Sequence, residues 1–176
     1  MNQDDNKLVQ QVKEWQFDSF VTLYDRYFQR VYSLLLLQSN GQDSLTRDIV
    51  KDVFIVAFEQ IQTFNPDKYY SFETWLYKIA YNSMNDVLRN RNKDDSELEK
   101  SVFSNFFEKH EELEQIISHI DSLWLEKKML FVLRFWYNLS YDEISVILWK
   151  RSSLCKKEYG KLIKLTTSHF KHWITD

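Results

Sequence analysis

The chain has 176 residues, of which 44% are hydrophobic and 28% charged, and its formal net charge is −3. That length suits one mid-sized domain or two small ones with an adequate core, and no apolar run approaches the roughly 20 residues of a membrane span. Two glycines and one proline argue against a β architecture full of tight turns and leave long helices joined by polar links.

Taken in chain order, the N-terminal MNQDDNKLVQQ is acidic and polar, which is not the pattern of a signal peptide. The first helix is expected from about Asp18 to Gln38. Phe17, Phe20, Leu23, Tyr24, Tyr27, Val31 and Leu34 recur at three- and four-residue steps as its inward stripe. Ser39-Asn-Gly-Gln-Asp43 is a turn signal. A second helix follows from about Ser44 to Thr63, burying Ile49, Val53, Ala57 and Ile61; Asp48, Asp52, Ile55 and Glu59 share its other face. Asn65-Pro66-Asp67 interrupts the pattern, because proline disfavours a helical residue before it. A third helix, from about Ser71 to Asn90, turns Phe72, Trp75, Leu76 and Ile79 inward.

From about Asn92 to His110 the chain reads as a linker, polar and acidic but carrying Val102, Phe103, Phe106 and Phe107. The C-terminal unit begins near Glu111, with one stripe of Leu113, Ile116, Ile117 and Ile120 and a second of Leu130, Leu133 and Phe135. Ser140-Tyr-Asp-Glu143 is a capping box, and Ile144, Ile147 and Leu148 continue its helix inward. A final helix is expected from about Ser153 towards Trp173. The expected fold is therefore all-α, with two small helical domains.

Charge is distributed unevenly. Lys78 to Lys93 holds four bases against Asp86, a local +3. Asp94 to Asp121 holds nine acids against two bases, a local −7, and Lys150 to Asp176 holds seven bases against two acids, a local +5. The first basic zone follows a crowd of aromatics: Phe64, Tyr69, Tyr70, Phe72, Trp75 and Tyr77. Aromatic faces stack on unpaired bases and cations track phosphates, so this order fits a single-strand binder; a packed core would use the same aromatics without the bases. Spacing places Phe72 and Trp75 in the core. By periodicity and charge alone, the acidic helix face and the cationic C-terminal helix each read as solvated surfaces.

Phe72-Glu-Thr-Trp-Leu-Tyr-Lys-Ile-Ala-Tyr-Asn82, preceded by Asp48-Ile-Val-Lys-Asp-Val-Phe54, resembles the conserved segment of bacterial sigma factors of the extracytoplasmic-function (ECF) type, with their D-x-x-Q-E-V-F and W-L-Y-x-I-A-x-N patterns. The aromatic helix from Phe17 to Val31 is similar to the start of that segment. Leu123 to Leu133 followed by Leu139-Ser-Tyr-Asp-Glu-Ile144 resembles the entry into the family's C-terminal helix-turn-helix. The resemblance implies sigma region 2 over residues 1–92, an acidic linker over 93–110 and a region 4-like helix-turn-helix over 111–176. It further implies an alternative sigma factor that binds core RNA polymerase, selects promoters and melts DNA. Asp48, Lys51, Asp52 and Glu59 would meet the polymerase, with Lys51 standing where the family has glutamine. Lys68, Tyr69 and Tyr70 would meet the unpaired −10 strand, and Lys78, Asn82, Arg89 and Arg91 the phosphates. Lys150, Arg151, Ser153, Lys156, Lys157 and Lys161 would serve the −35 element, with Ser153 capping the helix. Trp149 occupies the usual glycine of the turn and Glu158 a usual base, so the turn is expected to be altered or strained.

Two rival readings remain. One is a sigma-like module that binds an anti-sigma factor or similar regulator without promoter activity of its own; the other is a helix-turn-helix regulator acting without polymerase. His110, His119, His169 and His172 do not form a metal set, and Cys155 has no base beside it. Without a nucleophile–base pair or a glycine-rich phosphate loop, the expectation is a protein that is not an enzyme and needs no cofactor. One cysteine excludes an internal disulfide framework, which fits a reducing cytoplasm, and the lack of a long apolar run leads to the expectation of no membrane insertion.

Overall fold

The computed structural model describes residues 3–90 and 125–169. The chain divides into two compact units, residues 1–99 and 100–176. Among the described residues all regular structure is helical.

In the first unit, α1 (Gln3–Lys13) packs on α2 (Phe17–Gln38), α2 on α3 (Asp43–Gln60), and both α2 and α3 on the helix Phe72–Asn90, here α5. Leu23, Tyr27, Val31, Leu34 and Leu35 of α2 meet Ile49, Val50, Val53, Phe54 and Ala57 of α3, all buried. Phe72, Trp75, Leu76, Tyr77, Ala80 and Met84 of α5 close the core. Fully burying a large apolar side chain contributes about 1.5–3 kcal/mol, so the stripes of α2, α3 and α5 together hold the unit. The expected helix to Thr63 tightens into a 3-10 turn over Ile61–Thr63.

Three features depart from the expectations. The polar N-terminus forms α1, whose Val9 and Val12 are buried. Asp5 is buried with them, accepting the Tyr27 hydroxyl at 2.5 Å and pairing with Arg26. The Asn65-Pro66 break encloses a short helix, α4 (Pro66–Tyr69), instead of an open loop: Pro66 takes the first helical position and the Asn65 side chain accepts the Asp67 N–H at 2.9 Å. Phe17, placed on the inward stripe, is 52% exposed, because α2 begins there, one residue past a corner that turns it away from the core.

The second unit contains α6 (Leu125–Phe135), α7 (Tyr141–Leu148) and α8 (Ser152–His169), each packed on the other two. Met129, Leu130, Phe131, Val132 and Leu133 are buried against Ile144, Ile147, Leu148, Cys155 and Leu162. The capping box is complete: Ser140 Oγ accepts the Glu143 N–H at 3.2 Å, and the Glu143 carboxylate accepts the Ser140 N–H at 2.8 Å. Arg134 fixes the preceding link by donating to the Leu139 carbonyl at 2.9 Å. Phe135, expected on the inward stripe, is 56% exposed at the last turn of α6, where the chain bends away through Asn138 at φ 52°. The proposed linker 93–110, the stripe of Leu113, Ile116, Ile117 and Ile120, and the tail towards Trp173 lie outside the described residues.

Candidate nucleic-acid interface

The aromatic loop is built on Phe64, which is buried and touches Phe72 and Trp75 at centroid distances of 6.0 and 5.3 Å. From that base α4 projects Lys68, Tyr69 and then Tyr70. The Tyr69 ring stacks on Phe64 at 6.4 Å, with an interplanar angle of 18°. The Lys68 and Lys78 ammonium groups lie 5.3 and 5.2 Å from the centre of the Tyr69 ring. A cation over a tyrosine ring at that distance is attracted by the ring's quadrupole, so the three side chains form one unit. Tyr70 caps α4 at φ 64° and is exposed, held by its N–H to the Pro66 carbonyl at 2.8 Å. Ser71 then caps α5, its Oγ accepting the Thr74 N–H at 3.0 Å.

This geometry refines the expected strand-contacting set. Tyr70 and Lys68 are exposed, whereas Tyr69 is half-buried, with a face occupied by Phe64. Lys78 is only 7% exposed; it lies beneath Tyr69 rather than along an open phosphate track, because α5 carries it into the base of the loop. Burial pushes the Lys78 ammonium below the usual lysine range, and the like charge of Lys68 adds to the effect. Asn82 and Arg89 are exposed and, with Lys78, follow one stripe of α5 at four- and seven-residue steps. Arg91 lies outside the described residues. Glu73, in the first turn of α5, accepts the Tyr77 hydroxyl at 2.8 Å and pairs with Arg30 of α2 at 2.5 Å, which braces the start of α5.

The acidic face of α3 is as expected: Asp48, Lys51, Asp52 and Glu59 are all exposed. Lys51 lies 3.6 Å from Asp48, one turn back, which moderates the charge at that end of the face. Apolar side chains adjoin it, Ile55 as its spacing required and Phe58 unassigned by the sequence. Ile55 and Phe58 are exposed on α3, and Phe58 meets Phe17 and Phe20 at 5.9 and 5.0 Å.

In the second unit, α7, a tight turn and α8 follow one another as a helix-turn-helix. Trp149 ends α7 in the left-handed region at φ 56°, ψ 36° and is 72% exposed. The expected strain is therefore present: a side chain there costs of order 1–2 kcal/mol relative to glycine. The Lys150 N–H closes the turn on the Ser145 carbonyl at 3.1 Å. The Lys150 side chain, 19% exposed, pairs with Glu126 of α6 and, at 2.8 Å, with Glu158 of α8. Burial is the largest single influence on Lys150 and pulls its pKa down, but the two carboxylates together outweigh it and hold the ammonium above its usual range. Lys150 is thus engaged by two carboxylates within the unit, unlike the other expected duplex-contacting bases. Glu158, expected to repel phosphate, is neutralised by it.

Arg151, Ser153, Lys156, Lys157 and Lys161 are exposed. Because α8 begins at Ser152, Ser153 lies within its first turn rather than at the cap. The Arg151 carbonyl accepts the Leu154 and Cys155 N–H groups at 2.9 and 3.1 Å. Ser153, Lys157, Lys161 and Lys164 follow one stripe at four-, four- and three-residue steps. Cys155 faces the opposite way, fully buried, and burial raises its thiol pKa. Among the described residues no group of three or more His, Cys, Asp or Glu could hold a metal ion, and no helix is long and apolar enough to cross a membrane.

An acidic helix face, an aromatic loop flanked by Lys68 and Lys78 and a cationic helix-turn-helix are the features set beside known proteins. Residues 23–94 match the family model for Sigma-70 region 2. The ECF RNA polymerase sigma-E factor of Escherichia coli K12 is 30% identical over 161 residues, covering 82% of each chain. The ECF sigma factor SigW of Bacillus subtilis is 33% identical over 88 residues, half of this chain and 46% of that one. CnrH, solved in complex with the cytosolic domain of CnrY, superposes with a TM-score of 0.73 at 20% identity, over 97% of this chain and 99% of CnrH; at that identity the likeness speaks to the fold. The chain belongs to the ECF sigma factors of RNA polymerase.

Proposed function

We propose that the protein is an alternative sigma factor that binds core RNA polymerase through the exposed face of α3, directs it to a promoter subset and stabilises melted DNA at the aromatic loop. The observation that carries this reading is the Lys68–Tyr69–Lys78 unit with exposed Tyr70 beside it. It sets cations and tyrosine rings at one end of the helix that carries Asn82 and Arg89. An unpaired base stacking there gains about 1–3 kcal/mol, enough to favour an open strand locally. Lys68, Asn82 and Arg89 then follow the backbone, and Arg151, just ahead of α8, with Lys156, Lys157 and Lys161 on it, hold duplex phosphates further upstream. Lys78 keeps the Tyr69 ring in place from below. Contacts to phosphate position the protein; sequence selectivity comes from base edges and from the flipped base.

Reconstituted transcription tests the reading. Purified protein with core polymerase should initiate on a subset of genomic fragments, and failure on all of them would sink it. Tyr69→Ala with Tyr70→Ala should abolish strand opening, read by permanganate reactivity of unpaired thymines, while core binding stays intact. Loss of core binding instead would show that the loop has been assigned to the wrong partner.

A second reading, a module bound by an anti-sigma regulator and lacking promoter activity, is favoured by one specific feature. The helix-turn-helix carries a strained, exposed Trp149 and has Lys150 drawn inward, both of which weaken the case for base readout by α8. Selection of bound sequences by the reconstituted holoenzyme separates the two, since the module reading predicts no enrichment.

A further inference from the structure

The aromatic loop runs from Phe64 to Phe72 at the start of α5, and both of these rings are buried. α1 reaches each end of it. At the near end the Lys13 ammonium donates to the Phe64 carbonyl at 2.8 Å, and the Gln62 side chain donates to the Lys13 carbonyl at 3.2 Å. Lys13 is the last residue of α1, so its carbonyl is one that the helix leaves without an internal partner, and Gln62 supplies a donor. At the far end Asp5 accepts the Tyr27 hydroxyl at 2.5 Å, and the Tyr27 ring lies 5.5 Å from that of Phe72.

The seat of α1 does not depend on the loop. Val9 and Val12 are buried, Asp4 and Asp5 pair with Arg26 of α2, and Ser19 donates to the Gln11 side chain at 3.0 Å. The helix stops just past Lys13, where Trp15 at φ 67° turns the chain and closes its N–H on the Val12 carbonyl at 2.9 Å. Lys13 therefore reaches Phe64 from a scaffold built by α1 and α2. Phe64 is extended, at φ −61° and ψ 129°, and a donor held on its carbonyl oxygen restrains that ψ. The next residue, Asn65, caps α4, so the same restraint sets the angle at which α4 leaves the core. Phe64 is also the platform on which the Tyr69 ring stacks. A binding group performs only when the shell behind it holds its geometry.

We propose that Lys13 is a positioning residue of the strand-opening site, acting through the Phe64 carbonyl on the stacking platform of Tyr69 without touching DNA. This rests on the reading of the aromatic loop given above.

The test uses the full-length chain with core polymerase, on genomic fragments where the wild-type holoenzyme initiates; if it initiates on none, both readings fall. Lys13→Met keeps the aliphatic stem and loses the donor, whereas Lys13→Arg keeps a donor. Hydrogen exchange of the free protein reads the loop, since the Lys68 and Tyr69 N–H groups bond the Asn65 carbonyl and the Tyr70 N–H that of Pro66. Lys13→Met should speed exchange at those three amides and leave the amides of α3 unchanged. It should slow strand opening, read by permanganate reactivity, about tenfold, the scale of one hydrogen bond to a charged group. Affinity for polymerase and for the closed duplex should stay as it was, and Lys13→Arg should restore both exchange and opening. If Tyr69→Ala with Tyr70→Ala blocks opening while Lys13→Met opens at the wild-type rate, Lys13 positions nothing and the loop reading stands. If both open at the wild-type rate, the loop reading falls and takes this role with it. Faster exchange throughout α3, loss of polymerase affinity in Lys13→Met, or no rescue by arginine would overturn the positioning role.

Discussion

Replacing Lys150 with methionine separates a residue that organises the helix-turn-helix from one that touches DNA. In the structure its ammonium joins Glu126 of α6 to Glu158 of α8, the latter at 2.8 Å, with a side chain 19% exposed. Fully exposed ion pairs contribute about 0.2–1 kcal/mol, and breaking a buried one costs about 3–5 kcal/mol. Glu126 and Glu158 retain 41% and 26% exposure, so solvent screens what Lys150→Met leaves behind, and a loss of about 1–2 kcal/mol is expected. For a unit of this size that lowers the melting temperature by about 4–8 °C per kcal/mol. The DNA assay is a salt titration of binding by the full-length chain within the polymerase complex. A lost phosphate contact reduces the slope of log affinity against log salt by about 0.9. Lys157→Ala and Lys161→Ala should each show that reduction; Lys150→Met should lower affinity with the slope kept. Glu126→Gln decides the sign. If Lys150 is a clasp, this change destabilises the unit, whereas a lysine that reaches DNA would be released by it and bind more tightly. A slope reduced by about 0.9 in Lys150→Met, with unchanged melting and tighter binding by Glu126→Gln, would refute the clasp.

Other expectations follow from single contacts. Trp149→Gly should stabilise the protein by about 0.5–1 kcal/mol in urea titration, since relief of left-handed strain exceeds the added freedom of glycine in the unfolded chain. Ser140→Ala removes one half of the capping box and should cost about 1 kcal/mol by the same measurement. The Tyr32 hydroxyl, and after it Arg47, holds the Asp43 carboxyl below its ordinary value of 3.8. Its stabilising effect is therefore complete above that value and is lost as pH falls through the lower folded-state value, so Asp43→Asn should flatten the acid limb of the stability profile below about pH 4. An unchanged acid limb would show that the Tyr32–Asp43 contact contributes nothing.

Much of this architecture could be read from the amino-acid order. The three long helices of the first unit and the capped helix of the second follow from apolar spacing, and Phe72 and Trp75 are core as their spacing requires. The strain at Trp149 was legible because so few residue types tolerate a left-handed turn. The misses have physical causes. α1 escaped because its inward stripe begins with Asp5, a carboxylate that is buried only because Tyr27 and Arg26, more than twenty residues away, receive it. Lys150 looked like one more base in a cationic helix, since nothing local tells that Glu126, 24 residues earlier, folds against it. Phe17 obeys the periodicity of α2 yet lies beyond the end of the core that the stripe addresses. Periodicity reports which way a side chain points, not whether anything stands there to meet it.

The first helix also touches the loop that carries Tyr69. Lys13 donates to the Phe64 carbonyl at 2.8 Å, and the Gln62 side chain returns a bond to the Lys13 carbonyl at 3.2 Å. Phe64 is the platform on which Tyr69 stacks, so α1 works as a splint for the aromatic loop. Loss of the end of α1 at Lys13 is therefore expected to be felt at Tyr69, more than fifty residues away in sequence. Trimming that reaches into α1 is a perturbation of the proposed strand-opening site.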